Sequence, residues 1–177
     1  MRALRPDEIE VRVGQVSPKG ASMLLYKNAR VDMSILDEEV GAENWGCRYR
    51  EVKGNLFCEV SIWSEKLGAW VSKEDCGTES YTEKEKGEAS DAFKRACFKW
   101  GIGRELYSAP FIFLPVGTIQ DDKGRWKLAN PRELVGTYVK EIEYAEKDSK
   151  RIITKLVLYQ RAQGRDSEIY RWPKGEK

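Results

Sequence analysis

The sequence predicts an α+β fold with a β-β-β-α core, in which an antiparallel meander packs on a long helix. Residues 46–75 hold three apolar stretches separated by short turns, and the middle stretch alternates apolar and polar residues as a half-buried strand does. Residues 83–100 carry apolar side chains at helical spacing. Short helices are expected before this core, and a β-rich extension is expected after it.

The elements before the core are predicted from turn and capping residues. Pro6–Glu8 combines a proline with acids, which is typical of a first helical turn, and Gly14 can end the short helix that follows. Ala21–Lys27 is rich in apolar residues and is expected to be a short strand. Asn28 can cap a second helix, which is expected over Ala29–Val40.

The core is expected to consist of three strands and the longest helix of the chain. The strands are expected over Gly46–Val52, Leu56–Ser64 and Ala69–Asp75. Polar residues in Thr78–Thr82 can cap the helix, which is expected over Glu83–Trp100. The apolar stripe of this helix consists of Ala89, Ala92, Phe93, Ala96, Cys97 and Trp100.

After Tyr107 the pattern changes to short alternating segments and turns. Asp121–Gly124 has the composition of a tight hairpin turn. We therefore divide the chain into a core over 1–115 and a β-rich C-terminal extension over 116–177, whose last residues, Lys174–Lys177, are expected to fray. After Tyr107, strands are expected over Phe111–Pro115 at the end of the core, and over Tyr138–Tyr144, Arg151–Gln160 and Glu168–Trp172 in the extension.

Composition excludes several classes of protein. The chain has 177 residues, four irregularly spaced cysteines and no histidine, which excludes imidazole catalysis and Cys/His zinc clusters. The chain contains 31 basic and 29 acidic residues, so its net charge is close to zero. A nucleic-acid partner must therefore be inferred from a local basic patch rather than from net charge. No apolar run is long enough to span a bilayer, and the N-terminus lacks a secretory signal, so we expect a cytoplasmic protein without a membrane partner.

The predicted long helix carries a basic side. Lys94, Arg95 and Lys99 lie opposite its apolar stripe, with Asp91 placed to pair with Arg95 and Phe98 on the same flank. Cations one turn apart can each contact a phosphate, and a neighbouring aromatic ring can stack on an exposed base. From these residues alone, an ordinary solvated helix face is the more common explanation.

Several short motifs, in the same order, resemble the single-strand annealing proteins of the Rad fifty-two/Rad twenty-two superfamily, and most closely its phage and bacterial (Sak-like) branch. These motifs are Asn44-Trp45, Glu74–Gly77, Ser90–Ala96 and Trp100–Tyr107, and the likeness covers roughly Leu4–Leu114. The resemblance implies a β-β-β-α core and an oligomeric ring or helical filament. It implies a basic groove that holds single-stranded DNA with its bases exposed, so that complementary strands anneal in recombination and repair. No ATP, metal or cofactor is implied, and the protein is not expected to be an enzyme.

The resemblance also implies which residues contact DNA. Lys94 and Arg95 match the basic pair that holds the phosphate backbone. Relatives in eukaryotes carry an arginine where this chain has Phe98, so either Lys99 supplies that charge or the groove is less basic here. Arg104 is expected either to reach a phosphate or to cap the helix end. Weaker matches to the family's pattern are Arg12, Tyr26 and Arg30.

For some of these aromatic and basic residues a structural role remains an open alternative. Tyr26 can pack against the core, and Arg30 can pair with Asp37 or with a neighbouring chain. The tryptophans are not taken as base-stacking residues, because Trp100 belongs to the apolar stripe and Trp45 can anchor the corner between helix and strand. Two further tryptophans, Trp63 and Trp70, are candidates for subunit contacts.

Two other functions compete with strand annealing. A metal-dependent nuclease can be built from acidic clusters such as Glu59, Glu74 and Asp75 with Lys73, although such clusters are weakly specific. A passive protector would bind single strands without speeding their pairing. The absence of a G-x-x-x-x-G-K-[ST] loop argues against an ATP-driven recombinase. The expected partners are single-stranded DNA, further copies of the chain and a single-strand-binding protein, in a bacterial cell or a phage-infected host.

Overall fold

The computed structural model describes residues 1–78 and 84–173 and divides the chain into two compact units. Unit 1 comprises Met1–Ala3 and Asn28–Arg104, and unit 2 comprises Leu4–Lys27 and the chain from Glu105 onward. The described residues contain two α-helices, α1 (Ala29–Val40) and α2 (Lys84–Lys99). Neither of them is both long enough and apolar enough to cross a membrane. The strands are β1 (Glu10–Ser17), β2 (Gly20–Tyr26), β3 (Trp45–Val52), β4 (Asn55–Ser64), β5 (Ala69–Cys76), β6 (Ile112–Leu114), β7 (Thr118–Gln120), β8 (Trp126–Leu128), β9 (Thr137–Lys147), β10 (Lys150–Ala162) and β11 (Arg165–Trp172).

The predicted fold class, α+β with a β-β-β-α core on a long helix, is wrong. The part of the chain that the structure describes is mostly β, with about half of its residues in strands and fewer than a quarter helical, and it contains a nearly closed, barrel-like sheet. That six-stranded sheet has the order β11-β10-β9-β1-β2-β6, so strands from both ends of the chain share it. The predicted C-terminal extension therefore supplies half of the strands of the largest sheet.

The predicted first helix is also wrong, and its error helps to explain the wrong fold class. Pro6–Glu8 forms only a three-residue 3-10 helix, and β1 follows it directly. Glu10 of β1 pairs with Tyr26 of β2 on one side and with Tyr138 of β9 on the other. The residues Pro6–Glu8 thus form one helical turn, as their composition predicts, but the helix does not continue. The residues after them form β1 because they pair with two neighbouring strands, and this pairing outweighs the local helix signal.

The core of unit 2 is built on this six-stranded sheet. β10 contributes the largest share, because a bulge and a run of apolar residues keep successive side chains buried. The hairpin turn predicted at Asp121–Gly124 is confirmed: the Asp121 carboxylate accepts hydrogen bonds from the amides of Lys123 and Arg125, both at 2.9 Å. The buried apolar side chains of this unit are Leu4, Ile9, Ala21, Met23, Ile112, Leu114, Val139, Ile153, Leu156, Val157 and Leu158.

Unit 1 begins with the predicted second helix. The Asn28 carboxamide oxygen accepts hydrogen bonds from the amides of Arg30 at 2.9 Å and Val31 at 3.3 Å, so the predicted cap of α1 is confirmed. Trp45 anchors the corner after α1, as predicted, because its Nε1 donates to the Asp37 carboxylate at 2.7 Å. Asp37 therefore has a partner other than Arg30.

The strands β3, β4 and β5 form an antiparallel sheet whose bounds agree with the prediction to within one residue at each end. Helix α2 packs on β4 and β5, where Cys58 and Val60 of β4 are completely buried. The indole Nε1 of Trp100 donates to the carbonyl of Val60 at 3.0 Å, in line with its predicted place in the core. The expected helix-capping segment after Thr78 and the start at Glu83 lie outside the described residues, as do Lys174–Lys177.

Candidate nucleic-acid interface

The exposed side of α2 presents the predicted basic residues. Arg95 and Lys99 keep 50% and 46% of their side-chain surface exposed, and Lys94 keeps 29%. The apolar stripe on the other side of the helix is buried against the sheet, and it includes Ala92 and Ala96. The amphipathic pattern of the sequence therefore places all three cations at the surface of unit 1, where a ligand can contact them.

The carboxylate partners of these cations differ from the prediction. Asp91 was expected to pair with Arg95, but its carboxylate lies 3.8 Å from Lys94 Nζ and accepts two hydrogen bonds from Thr78, both at 3.1 Å. Arg95 and Lys99 instead face Asp75 of β5, each at 3.4 Å. The reason is that the end of β5 runs beside α2 and offers a nearer carboxylate than the one on the helix itself.

Asp75 is held in place and charged. The amide of Cys76 donates to its Oδ1 at 2.9 Å, and only 19% of its side-chain surface is exposed. Partial burial raises the pKa of Asp75, but the hydrogen bond from Cys76 and the charges of Arg95 and Lys99 outweigh this effect, so the pKa lies below its ordinary value. The carboxylate is therefore ionised at neutral pH.

Two further cations surround the C-terminal end of α2. Arg104 donates to the carbonyls of Phe98 at 2.7 Å and Lys99 at 2.6 Å, and its guanidinium lies 5.5 Å from the centroid of the Phe98 ring. Lys73 donates to the same Lys99 carbonyl at 2.9 Å and lies 4.4 Å from the ring centroid of Trp100. Both cations satisfy helix-end carbonyls and oppose the negative end of the helix dipole. Of the two roles expected for Arg104, these contacts correspond to capping.

These residues form one group, which we call the α2 cationic cluster. Its five cations outnumber its two carboxylates, so the cluster carries an excess of positive charge although the whole chain is nearly neutral. A local excess of this kind attracts a polyanion, and the attraction weakens as salt increases. The members of the cluster are Lys73, Asp75, Asp91, Lys94, Arg95, Lys99 and Arg104.

Neither Lys73 nor Asp75 was predicted as part of this cluster: both were considered for the competing nuclease, and Asp75 also belongs to the Glu74–Gly77 motif of the resemblance. The strand period gives a signal that could have found them, because Lys73 and Asp75 pair with the buried Val60 and Cys58 of β4 and so face α2. Glu74 lies between them and points to the opposite face, where it pairs with Arg50. The residues considered for a nuclease are thereby divided between two faces of the sheet.

Arg12 and Tyr26 come together in unit 2. They lie on the paired strands β1 and β2, and the Arg12 guanidinium lies 5.0 Å from the centroid of the Tyr26 ring. Arg12 also pairs with Glu10, and Tyr26 is 39% exposed, so the ring stacks beneath a cation at the surface rather than inside the core. Arg30 belongs to unit 1, in the first turn of α1, and its side chain is exposed.

The two tryptophans considered for subunit contacts face each other across β4 and β5. The rings of Trp63 and Trp70 meet nearly edge to face at 5.7 Å, and both are partly exposed. They lie on the face of the sheet that carries Glu74, away from α2. This places them outside the α2 cationic cluster.

No protein-family model matches the chain, and neither a curated protein nor a solved structure matches it. The resemblance to single-strand annealing proteins therefore stays a prediction that rests on short motifs. Function has to be inferred from the geometry and charge of the α2 cationic cluster.

Proposed function

We propose that the protein binds single-stranded DNA through the α2 cationic cluster and anneals complementary strands. The observation that supports this most directly is that Lys94, Arg95 and Lys99 project from one side of α2 with 29%, 50% and 46% of their side-chain surface exposed. The resemblance to the Rad fifty-two/Rad twenty-two superfamily supports the proposal, because it implies a phosphate-binding pair at Lys94 and Arg95. Charge, exposure and motif thus converge on the same helix.

The cluster suits a backbone ligand rather than a base-specific one. Arg95 and Lys99 are about 6 Å apart along the helix axis, since an α-helix rises about 1.5 Å per residue. Cations at this spacing can neutralise phosphates of one strand without reading its sequence. Neutralised strands repel each other less, and pairing of their exposed bases is then downhill without hydrolysis of a nucleotide.

Arg12 and Tyr26 are a second candidate contact. A cation stacked on a partly exposed tyrosine offers both a charge for phosphate and a flat ring for a base. The wider proposal follows the resemblance: a homo-oligomeric ring or filament that works in the cytoplasm of a bacterial cell or phage-infected host, with single-stranded DNA and a single-strand-binding protein as partners.

Replacing Lys94 and Arg95 together by alanine tests the proposal. We expect the affinity for a fluorescent oligo-dT to fall at least tenfold in anisotropy titrations at moderate salt, because two phosphate contacts are lost. The dependence of affinity on salt should also become less steep. The matched control replaces Lys123 and Lys127, two exposed lysines in and beside the β7–β8 hairpin, which removes the same charge elsewhere.

Equal affinities of the wild type and the Lys94/Arg95 variant would contradict the proposed DNA site. A second assay follows the pairing of two complementary oligonucleotides, one of which carries a quencher. Faster pairing with the wild type than without protein is expected for an annealing protein. Tight binding without acceleration would show a passive protector, and shortening of the labelled strand with magnesium or manganese would show a nuclease.

A further inference from the structure

The carboxylate of Asp75 lies beside two cations of the α2 cationic cluster, Arg95 and Lys99, to which the proposed function assigns DNA phosphates. Arg95 Nη2 lies 3.4 Å from its Oδ1 and Lys99 Nζ lies 3.4 Å from its Oδ2, so each cation faces a different oxygen of one carboxylate. Two cations that converge on one anion in this way can bind a phosphate in the same manner. We propose that Asp75 is an internal competitor of DNA that weakens strand binding and makes it reversible. This inference rests on the proposed function.

The competitor is held by the fold. The Cys76 amide fixes the Asp75 carboxylate, and Gly77 then allows β5 to approach α2 closely, because a Cβ at that position would lie 2.1 Å from the carbonyl oxygen of Glu88. The fold therefore positions the carboxylate beside Arg95 and Lys99 when no DNA is bound. A strand that enters the cluster has to displace it from both cations.

The contacts of Asp75 are nevertheless weak enough to exchange. Distances of 3.4 Å are longer than the 2.7–2.9 Å typical of charge-assisted hydrogen bonds, and both cations are about half exposed to water. Water and salt screen such pairs. An incoming phosphate can thus replace Asp75 without breaking a buried ion pair.

Asp91 does not serve the same purpose. Its carboxylate accepts hydrogen bonds from both the amide and the hydroxyl of Thr78, while Lys94 Nζ lies farther away at 3.8 Å. Asp91 is thus committed to tying the segment after β5 to α2. Asp75 is the carboxylate of the cluster that faces two cations of the proposed DNA site.

An internal competitor suits a protein that must release its product. A site that held each phosphate very tightly would trap the strand and oppose its transfer into a duplex. When a phosphate leaves, the Asp75 carboxylate can pair again with Arg95 and Lys99. The two cations therefore do not remain without a counter-charge after the strand dissociates. The competitor therefore lowers affinity and speeds dissociation.

The test replaces Asp75 by asparagine, which keeps an oxygen acceptor for the Cys76 amide but removes the charge. We expect Asp75→Asn to bind oligo-dT about tenfold more tightly than the wild type at moderate salt and to release it more slowly in stopped-flow competition. Arg95 loses its carboxylate partner in this variant, whereas Lys99 Nζ still donates to the backbone carbonyl of Glu74 at 2.5 Å. Because one further cation thus becomes fully available to phosphate, the slope of log K against log salt should become steeper by about one unit. The matched control is Glu74→Gln, which makes the same charge change at the neighbouring residue on the opposite face, where it faces Arg50. We expect less than a twofold change there.

A double-variant comparison separates competition from a general change of charge. In a chain that carries Arg95→Ala and Lys99→Ala, the gain from Asp75→Asn should disappear. Asp75→Ser serves as a second uncharged variant if the asparagine variant does not fold. Affinity of Asp75→Asn equal to that of Glu74→Gln, or below the wild type, would overturn the inference while wild-type binding upheld the proposed function. Absence of binding by the wild type and every variant would overturn both.

Discussion

At the scale of single residues, position on a strand decides what each carboxylate does. Glu74 and Asp75 are neighbours in the chain, yet one pairs with Arg50 on the outer face of the sheet and the other faces Arg95 and Lys99. The basic residues of α2 could be predicted from the sequence because helical periodicity depends on local spacing. Their partner on β5 could not be predicted from that helix alone, because the contact depends on how two elements pack.

The cysteines provide a residue-scale prediction. Cys58 and Cys97 are fully buried, and burial is the main cause that raises the pKa of Cys58 to about 12. Since the thiolate is the reactive form, both thiols should resist iodoacetamide at pH 8 in the folded protein and react once guanidinium unfolds it. Cys47, which is exposed, serves as the internal control, although partial desolvation by neighbouring atoms raises the pKa of its thiol as well.

Peptide mass spectrometry of native and unfolded samples measures this difference. We expect carboxymethylation of Cys47 and protection of Cys58 and Cys97 in the native sample. Modification of Cys58 at the rate of Cys47 would show that the α2-facing side of β4 is open to solvent, which is contrary to the structure.

At the scale of elements, the sequence predicts best where local signals and packing agree. α1 starts at an asparagine cap and ends before a glycine, and turns separate the strands of the meander, so their bounds were predictable. β1 was mistaken for a helix because the signal at Pro6–Glu8 outweighed the alternation of Glu10 and Arg12 with valines. A register shift between Val13 and Val16 further interrupts that alternation.

Gly77 joins β5 to the segment before α2, and it yields an element-scale prediction. A Cβ on Gly77 would lie 2.1 Å from the Glu88 carbonyl oxygen and 2.9 Å from the Ala92 amide nitrogen, both of which belong to the helix backbone. Gly77→Ala must therefore push α2 away from the sheet, and we expect a loss of about 1–3 kcal/mol in the free energy of unfolding. Urea titration followed by circular dichroism measures it.

Gly46 in β3 is the matched control. A Cβ at this position meets nothing within 4 Å, so Gly46→Ala should leave the free energy of unfolding unchanged or slightly raised. Because Gly77 also places Asp75 beside Arg95, the Gly77 variant should lose the protection of Asp75 from solvent. Equal unfolding midpoints for the two variants would contradict the close packing of β5 against α2.

At the scale of the whole molecule, the chain interleaves its two units. Most of unit 1, Asn28–Arg104, lies in the chain between Lys27 and Glu105 of unit 2, and strands on both sides of this insertion form one six-stranded sheet. The pairing of Glu10 with Tyr138 could not be predicted from the alternation of apolar and polar residues. This alternation shows that a segment forms a strand, but it does not show which strand lies next to it. For that reason the strands after residue 115 could be located from the sequence, while their sheet could not.

This interleaving predicts the behaviour of a shortened chain that ends at Pro115. Such a chain keeps β3–β5 and α2, but it loses β9–β11, so β1 and β2 retain only the three-residue β6 as a neighbour. An isolated hairpin is marginal in water, and the three-residue β6 adds little to it. In hydrogen exchange followed by NMR, we expect amides of β4 to remain protected and amides of β2 to exchange rapidly, whereas the full chain protects both. Equal protection of β2 and β4 in the shortened chain would mean that residues 1–115 form a self-sufficient core.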